Sequence, residues 1–442
     1  MARRAVIVIL DGLRRDFLSA ALTPTLHALA AEAESFANHR SVFPSTTRVS
    51  AASIATGCRP ARHGLQGNSV ALREAGRLIR RDVGKPDFFD ALRRATGRTL
   101  RVATLAERLA RHGRGCLVHS NVSPGAAYAL DPDGHGFVHH RAGSFGPGRQ
   151  RLADAEAACL TADAAGDRAM TGRMCGDLES RRPAPAAAIL WLCEPDKTQH
   201  ALPLGSPPHL AALHAADGCV AQLLDSCARL TARTGDDVLL VVGSDHGHRS
   251  IRRAVNIDQA LVDAGLKQAP ESSEVVIAAN GTAALVYLAA GARERQAAIG
   301  EFLRAQDWVG AVLEGDALAE AGLDPDDGTG LAAAIDMRAY DAVNQHGVAG
   351  LSDGAVSCGE DPYWLGNGNH GGLARHEQDP FLMIRGAGFA AGALRQTPTS
   401  LIDIAPTVLA HLGLPADQMD GRPLQSTTSD LGPGSRPELR PW

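Results

Sequence analysis

Three aspartates and three histidines stand where a metal-dependent reaction can be run. Asp11 closes the apolar run Val8-Ile9-Leu10 and is followed by Gly12. Asp196 and His200 are four apart in Glu194-Pro195-Asp196-Lys197-Thr198-Gln199-His200, so one helical turn brings them onto one face. Asp245 and His246 are adjacent in Ser244-Asp245-His246-Gly247-His248, and His370 sits in Gly368-Asn369-His370-Gly371-Gly372. Carboxylate oxygen with imidazole nitrogen suits zinc, with manganese or iron as alternatives. Three Asp and three His exceed the ligand set of a single four-coordinate ion, so two divalent ions are the natural reading. On residue type alone His248, His346 and His376 compete with His370.

A second candidate is the hydroxyl-rich run Ser45-Thr46-Thr47-Arg48-Val49-Ser50, which leads into an alanine-rich stretch ending at Thr56-Gly57. Hydroxyls in that position are helix caps by default. One of them can also serve as a nucleophile, because the free amides and dipole of a helix N-terminus favour an anion. At neutral pH a metal would have to ionise it.

Short apolar strands alternating with amphipathic helices must position these groups. Strands are expected at 5–10, 116–118, 186–193, 238–242 and 381–384, the unbroken apolar runs being those of a sheet buried on both faces. A helix should begin at Thr23-Pro24, another at 104–112 with Thr104 and Glu107 at capping-box spacing, a long one at 209–230 and a last at 401–412. This alternation predicts an α/β fold with a mostly parallel central sheet and helices on both faces. In such sheets ligands gather beyond the carboxyl ends of the strands, so Asp11, Asp196 and Asp245 should converge. The expected core is 1–123, 181–272 and 366–425. Residues 124–180, rich in Gly, Pro and His, read as a loop-rich excursion near the site. Residues 273–365 read as a small α+β insertion, and 426–442 as a flexible tail.

Composition narrows the partners. The 442 residues are 45% hydrophobic and 21% charged, with a net charge of −5, the profile of an ordinary globular protein. Bulk attraction to nucleic acid or to an anionic membrane is not expected. No apolar run approaches a membrane span. The apolar run after Arg3-Arg4 ends at Asp11, too short for a secretory signal, so a cytoplasmic protein with reduced cysteines is expected. Nothing in the sequence fixes the oligomeric state.

Taken together, these pieces resemble the alkaline phosphatase superfamily, and within it the type I phosphodiesterases and nucleotide pyrophosphatases. Besides the runs above, Phe43-Pro44-Ser45-Thr46-Thr47, Ala55-Thr56-Gly57-Cys58-Arg59-Pro60, His63-Gly64-Leu65-Gln66-Gly67-Asn68 and Leu401-Ile402-Asp403-Ile404-Ala405-Pro406-Thr407-Val408 carry the likeness. It spans about residues 5–425. The resemblance implies a three-layer α/β/α fold and two zinc-type ions. One would be held by Asp196, His200 and His370, the other by Asp11, Asp245, His246 and the hydroxyl of Thr47. It implies Thr47 as nucleophile through a phospho-threonine intermediate, and Asn68 as donor to a phosphoryl oxygen. The implied substrate is a small-molecule phosphate ester, a phosphoric diester first.

The likeness is not uniform. Arg48 follows the nucleophile position where nucleotide-processing relatives often carry an aromatic residue, and an arginine there is suited to a second anionic group of the substrate. Phosphonoacetate hydrolases share the metal pattern, but the lysines expected for their carboxylate are missing from 117–124. A phosphonate hydrolase or a phosphomonoesterase on the same site is the alternative, and a non-catalytic ligand-binding relative is the alternative of a different class. The Cys58 motif fits a sulfatase pattern but follows Thr56-Gly57 instead of preceding it. Asp131-Pro132-Asp133-Gly134 and the run 324–328 resemble calcium-loop fragments without the closing Glu. His135, His139 and His140 read as loop histidines.

Overall fold

The apolar run at residues 5–10 forms the strand Arg3–Leu10 (β1), in the middle of a ten-stranded sheet. The computed structural model describes residues 2–425 apart from 326, 327 and 363, so the tail expected at 426–442 lies outside the described residues. The other central strands are Cys116–Ser120 (β2), Ala187–Leu192 (β3), Asp237–Gly243 (β4) and Leu382–Arg385 (β5). Across the sheet they run β5-β4-β1-β3-β2. β1 pairs in parallel with both β3 and β4, and β3 with β2, whereas β5 is antiparallel to β4. The sheet is therefore mostly parallel at its centre, as the alternating pattern requires.

Alternate side chains of β1 feed two separate cores. Ala5, Ile7 and Ile9 pack with Ala51, Ala52, Ile54 and Ala55 of the helix Thr47–Thr56 (α1) and with Ile404 and Val408 of the closing helix Ile404–His411. Val6, Val8 and Leu10 pack with Met170, Met174 and Leu178 of the helix Ala164–Ser180 (α2) and with Leu213, Val220 and Leu223 of the helix Pro207–Thr234 (α3). The period of two along the strand thus produces three layers, α/β/α. Each fully buried Val, Leu or Ile contributes about 1.5–3 kcal/mol relative to exposure.

Residues 124–180 contain helices and short strands. The helix Pro124–Ala129 joins the core on the α1 face, and Phe137–His139, Ser144–Gly146 and Gln150–Leu152 extend the main sheet beyond β2. Within residues 273–365 both strands and helices are present. An antiparallel sheet in the order Val275–Asn280, Ala283–Leu288, Leu331–Met337, Val309–Leu313 packs with the helix Gln296–Arg304. A further sheet joins Ala339–Val343 and Ala349–Val356 to Arg249–Asn256 and Gly368–Asn369. In it Arg249 pairs with Asn369, so His248 and His370 flank one ladder.

Candidate active site

Three strand ends and one loop converge at the carboxyl edge of the sheet. Asp11 follows β1, Asp196 opens the short helix Asp196–Ala201 after β3, and Asp245 and His246 follow β4. His370 arrives from the smaller sheet. Gly12 makes the crowding possible. Its φ is +67°, and a Cβ there would stand 2.7 Å from His248 Nε2, so only glycine fits. Its amide donates to Asp245 Oδ1 at 3.1 Å.

The separations among these atoms have a common value. Two ligands bound about 2.0–2.1 Å from one tetrahedral ion lie about 3.3 Å apart. Asp196 Oδ1 is 3.3 Å from His200 Nε2 and 3.4 Å from His370 Nε2. Asp11 Oδ1 and Asp245 Oδ2 are 3.3 and 3.1 Å from His246 Nε2. Thr47 Oγ1 is 3.2 Å from His246 Nε2 and 3.4 Å from Asp11 Oδ1. These separations are those that ligands of a shared ion would have, and the stacked rings of His246 and His370, with centroids 3.6 Å apart, bring the two groups together.

Backbone carbonyls set the imidazoles. His200 Nδ1 donates to Gly368 O at 3.0 Å, His370 Nδ1 to Ser45 O at 2.8 Å, and His246 Nδ1 to Gly247 O at 3.2 Å. A carbonyl can only accept, so each Nδ1 carries the proton and each Nε2 turns a lone pair toward the cluster. Asp245 Oδ2 is buried and makes no hydrogen bond. The donor set, its spacing and this orphaned oxygen fit divalent cations.

Charge points the same way. Burial, and then the neighbouring Asp245 and Asp196, push the Asp11 carboxyl well above the usual range. Burial also works against ionised Asp196, but His200, His248 and His370 outweigh it and hold that carboxyl well below the usual range. Burial lowers His246, yet Asp245 raises it on balance. Burial and the adjacent His246 take His370 down to about 4. A buried group of three carboxylates calls for positive charge, taken up as protons or as divalent cations.

The nucleophile candidate is placed by α1. Thr46 holds the N-cap position without using its side chain, and its Oγ1 is buried with no partner. The default capping role therefore does not apply here, and Thr47 Oγ1 turns to Asp11 and His246. Arg48 N donates to Asn68 Oδ1 at 3.0 Å, which fixes the amide of Asn68 and leaves its Nδ2 as a donor. Thr47, Arg48, Asn68, Asp11, Asp196 and His370 all line one cavity of about 790 Å³, the size of a small-molecule site.

Sequence reasoning left His248 unsorted. It is fully buried, and its Nε2 lies 2.7 Å from Asp196 Oδ1. That is a hydrogen bond, shorter than the ligand spacing, so His248 orients Asp196. His376 pairs with Arg14 Nη2 at 2.9 Å and His346 is exposed, so neither competes. His140 is held by Val122 O and by Ala142 N, both at 2.9 Å, and His139 by Asp154 at 2.7 Å. His119, His139 and Asp177 also cluster, but Arg181 Nη2 stands 3.2 Å from both His139 Nε2 and Asp177 Oδ2. The chain itself supplies the cation there. Cys58 is buried, with its thiol toward Thr56 O and Gln418 O. Asp131 is buried, not solvated, and accepts from the amides of His135 and Gly136.

Comparison with known proteins gives the chain's family and fold. The profile of the type I phosphodiesterase/nucleotide pyrophosphatase family matches residues 5–319. No curated protein sequence matches the chain. Among solved structures, murine ectonucleotide pyrophosphatase/phosphodiesterase 5 superposes with a TM-score of 0.69 at 17% identity, covering 95% of this chain and 97% of that one. An inactive variant of the same murine protein in complex with AMP gives 0.69 at 16% identity, with the same coverage. The human protein gives 0.68 at 16% identity, again covering 95% of this chain and 97% of that one.

Proposed function

The chain belongs to the type I phosphodiesterase/nucleotide pyrophosphatase family, hydrolases of phosphoric ester bonds, and from that premise we propose that it cleaves phosphoric diesters by attack of Thr47 on phosphorus. The observation that carries this reading is the set of ligand-like separations around Thr47 Oγ1, Asp11 and His246.

Asp196, His200 and His370 would hold one divalent ion, and Asp11, Asp245, His246 and Thr47 Oγ1 the other. When bound, such ions, zinc first by donor chemistry, supply positive charge that lowers the hydroxyl pKa and offsets charge on the phosphoryl and leaving oxygens. Thr47 Oγ1 loses its proton and bonds to phosphorus as the bond from phosphorus to the leaving alcohol oxygen breaks. The alcohol departs and takes a proton. Water then hydrolyses the phospho-threonine linkage, which still carries the second ester arm; the water oxygen goes to phosphorus in the released phosphomonoester and a proton returns to Thr47 Oγ1. Asn68 Nδ2 and the Thr47 amide at the start of α1, which has no intrahelical acceptor, would face the non-bridging oxygens, the Arg48 amide being taken by Asn68 Oδ1. The neutral donor at Asn68 suits the single charge of a diester better than the double charge of a monoester.

The AMP complex of the murine relative supports a small-molecule ester as substrate. No helix among the described residues is long and apolar enough to cross a membrane. All eight cysteines are unpaired, which supports a reducing, cytoplasmic compartment.

Zinc-loaded protein and its Thr47→Ala variant should be assayed against an aryl phosphodiester, an aryl phosphomonoester and an aryl phosphonate. Diester turnover that disappears in the variant is the expected result. Undiminished turnover in the variant would remove Thr47 from the mechanism. A monoester or phosphonate preference, lost in the variant, would keep the nucleophile and overturn the diester assignment.

A further inference from the structure

Two arginines in the cavity before Thr47 form no ion pair with a carboxylate among the described residues. Arg48, half-buried in the first turn of α1, donates through Nε to Ser123 Oγ at 3.1 Å. Its terminal amino groups meet no acceptor and no ion-pair partner among the described residues. Arg141 lies in the turn between Phe137–His139 and Ser144–Gly146. Its Nη1 donates to the backbone oxygen of Asn121 and, at 3.0 Å, to Asn121 Oδ1. Its Nε and Nη2 have no hydrogen-bond partner among the described residues. Both arginines line the same cavity as Thr47 and Asn68.

Their anchors are close. Asn121 and Ser123 are two residues apart, a span of at most about 7 Å even in extended chain. The chain also makes room for the pair. A Cβ at Gly84 would stand 2.5 Å from Arg48 Nη2, so any larger residue there would push the guanidinium aside. Two other charges on the cavity wall are engaged differently. Arg80 is paired with Glu360 at 2.7 Å. Asp82 accepts from the Gly84 amide at 2.7 Å and faces Lys85 at 3.9 Å. Burial holds Arg141 below its ordinary range, so its charge costs free energy where it sits. Two like charges held on one loop, each with an unused planar fork, match an oxyanion gripped from two sides.

We propose that Arg48 and Arg141 form a subsite for a second anionic group of the substrate, a carboxylate or a phosphate carried beside the phosphoryl group that Thr47 attacks. This rests on the hydrolase reading above and adds its substrate class: a diester with an anionic arm. Both arginines act by binding that arm.

The test uses three p-nitrophenyl phosphodiesters whose second arm ends in a methyl group, a carboxylate or a phosphate. Charge-assisted hydrogen bonds predict that the wild type prefers one or both anionic arms by about 10- to 100-fold in kcat/KM. In Arg141→Ala that preference should fall to near unity, with Arg141→Lys intermediate because it keeps charge without the fork. Arg48→Ala should act in the same direction. Calorimetry adds a readout that needs no turnover. Inorganic pyrophosphate should bind Arg141→Ala about tenfold more weakly than wild type, while orthophosphate, with no second group, should change much less. Which arm is preferred separates the carboxylate source from the phosphate source. No preference in the wild type, or an equal loss on all three esters and both anions in Arg141→Ala, would overturn the subsite. Turnover that survives Thr47→Ala would instead overturn the hydrolase reading, whatever the arm preference.

Discussion

His248 and His370 both approach Asp196 Oδ1, at 2.7 and 3.4 Å, and the difference predicts different losses. At hydrogen-bond distance His248 holds the carboxylate in place, and removing such a partner typically costs 10–100-fold in metal affinity. His248→Ala should therefore weaken zinc binding by about that factor, and His370→Ala by much more, both read by competition with a chelator. Equal losses would make His248 a ligand. Much of this candidate site was legible from residues alone, because Asp11, Asp196 and Asp245 each come at or just after the end of an apolar run and His200 stands one turn beyond Asp196. Two things were not legible. His248 is of the right type, and only a distance sorts a ligand from its support. Arg141 sits in a stretch without periodicity, and only the pairing of Phe137–His139 with β2 carries its turn to the cavity.

Among the elements, those with strong apolar runs or clear caps fell where the sequence put them. β1 covers the expected 5–10, and Thr104 Oγ1 accepts from Glu107 N at 3.2 Å at the start of the helix Leu105–Arg111. α2 was hidden because Gly166, Gly172 and Gly176 weaken its propensity and its apolar stripe is sparse, Met170, Met174 and Leu178. Packing on the sheet makes it a helix, as is common where propensity is low. Asp163 caps it through the amides of Ala165 and Gly166. Buried Asp167 joins it to the end of β3 through the amides of Cys193 and Glu194. The smaller unit depends on a feature no pattern announces. Lys267 and Asp258 are 4% and 3% exposed and 2.6 Å apart, and Lys267 also donates to Val275 O at 2.6 Å. Breaking a buried pair on one side leaves an uncompensated charge, so Lys267→Ala should cost about 3–5 kcal/mol in chemical denaturation. Replacing both partners, Lys267→Met with Asp258→Leu, should recover much of that loss. A small cost for the single variant would mean that water already reaches the pair.

Across the whole molecule, the candidate metal centre is also a clasp between two sheets. Asp11, Asp196 and Asp245 come from the carboxyl edge of the main sheet, while His370 follows Gly368–Asn369 of the smaller sheet. Its neighbour His200 is itself tied to Gly368 O. Ions shared by these ligands bind the folded state and not the unfolded chain, because no unfolded segment brings residues 11, 196, 245 and 370 together. Free ion at a hundred times its dissociation constant stabilises by about 2.7 kcal/mol per site. A chelator should therefore lower the melting temperature, and the loss should scale with the free zinc restored. The effect should also be uneven. β1 is paired with both β3 and β4 through full parallel registers, whereas Gly368–Asn369 has two register partners among the described residues, Arg249 and Ser250. Removing the ions should thus raise hydrogen exchange most at 368–372 and at the start of the strand Arg249–Asn256, and least in β1, β3 and β4. A uniform rise across both sheets would mean that they unfold as one unit regardless of the ions. No change at 368–372 would mean that the backbone ladder, and not the metal, holds His370 over the main sheet.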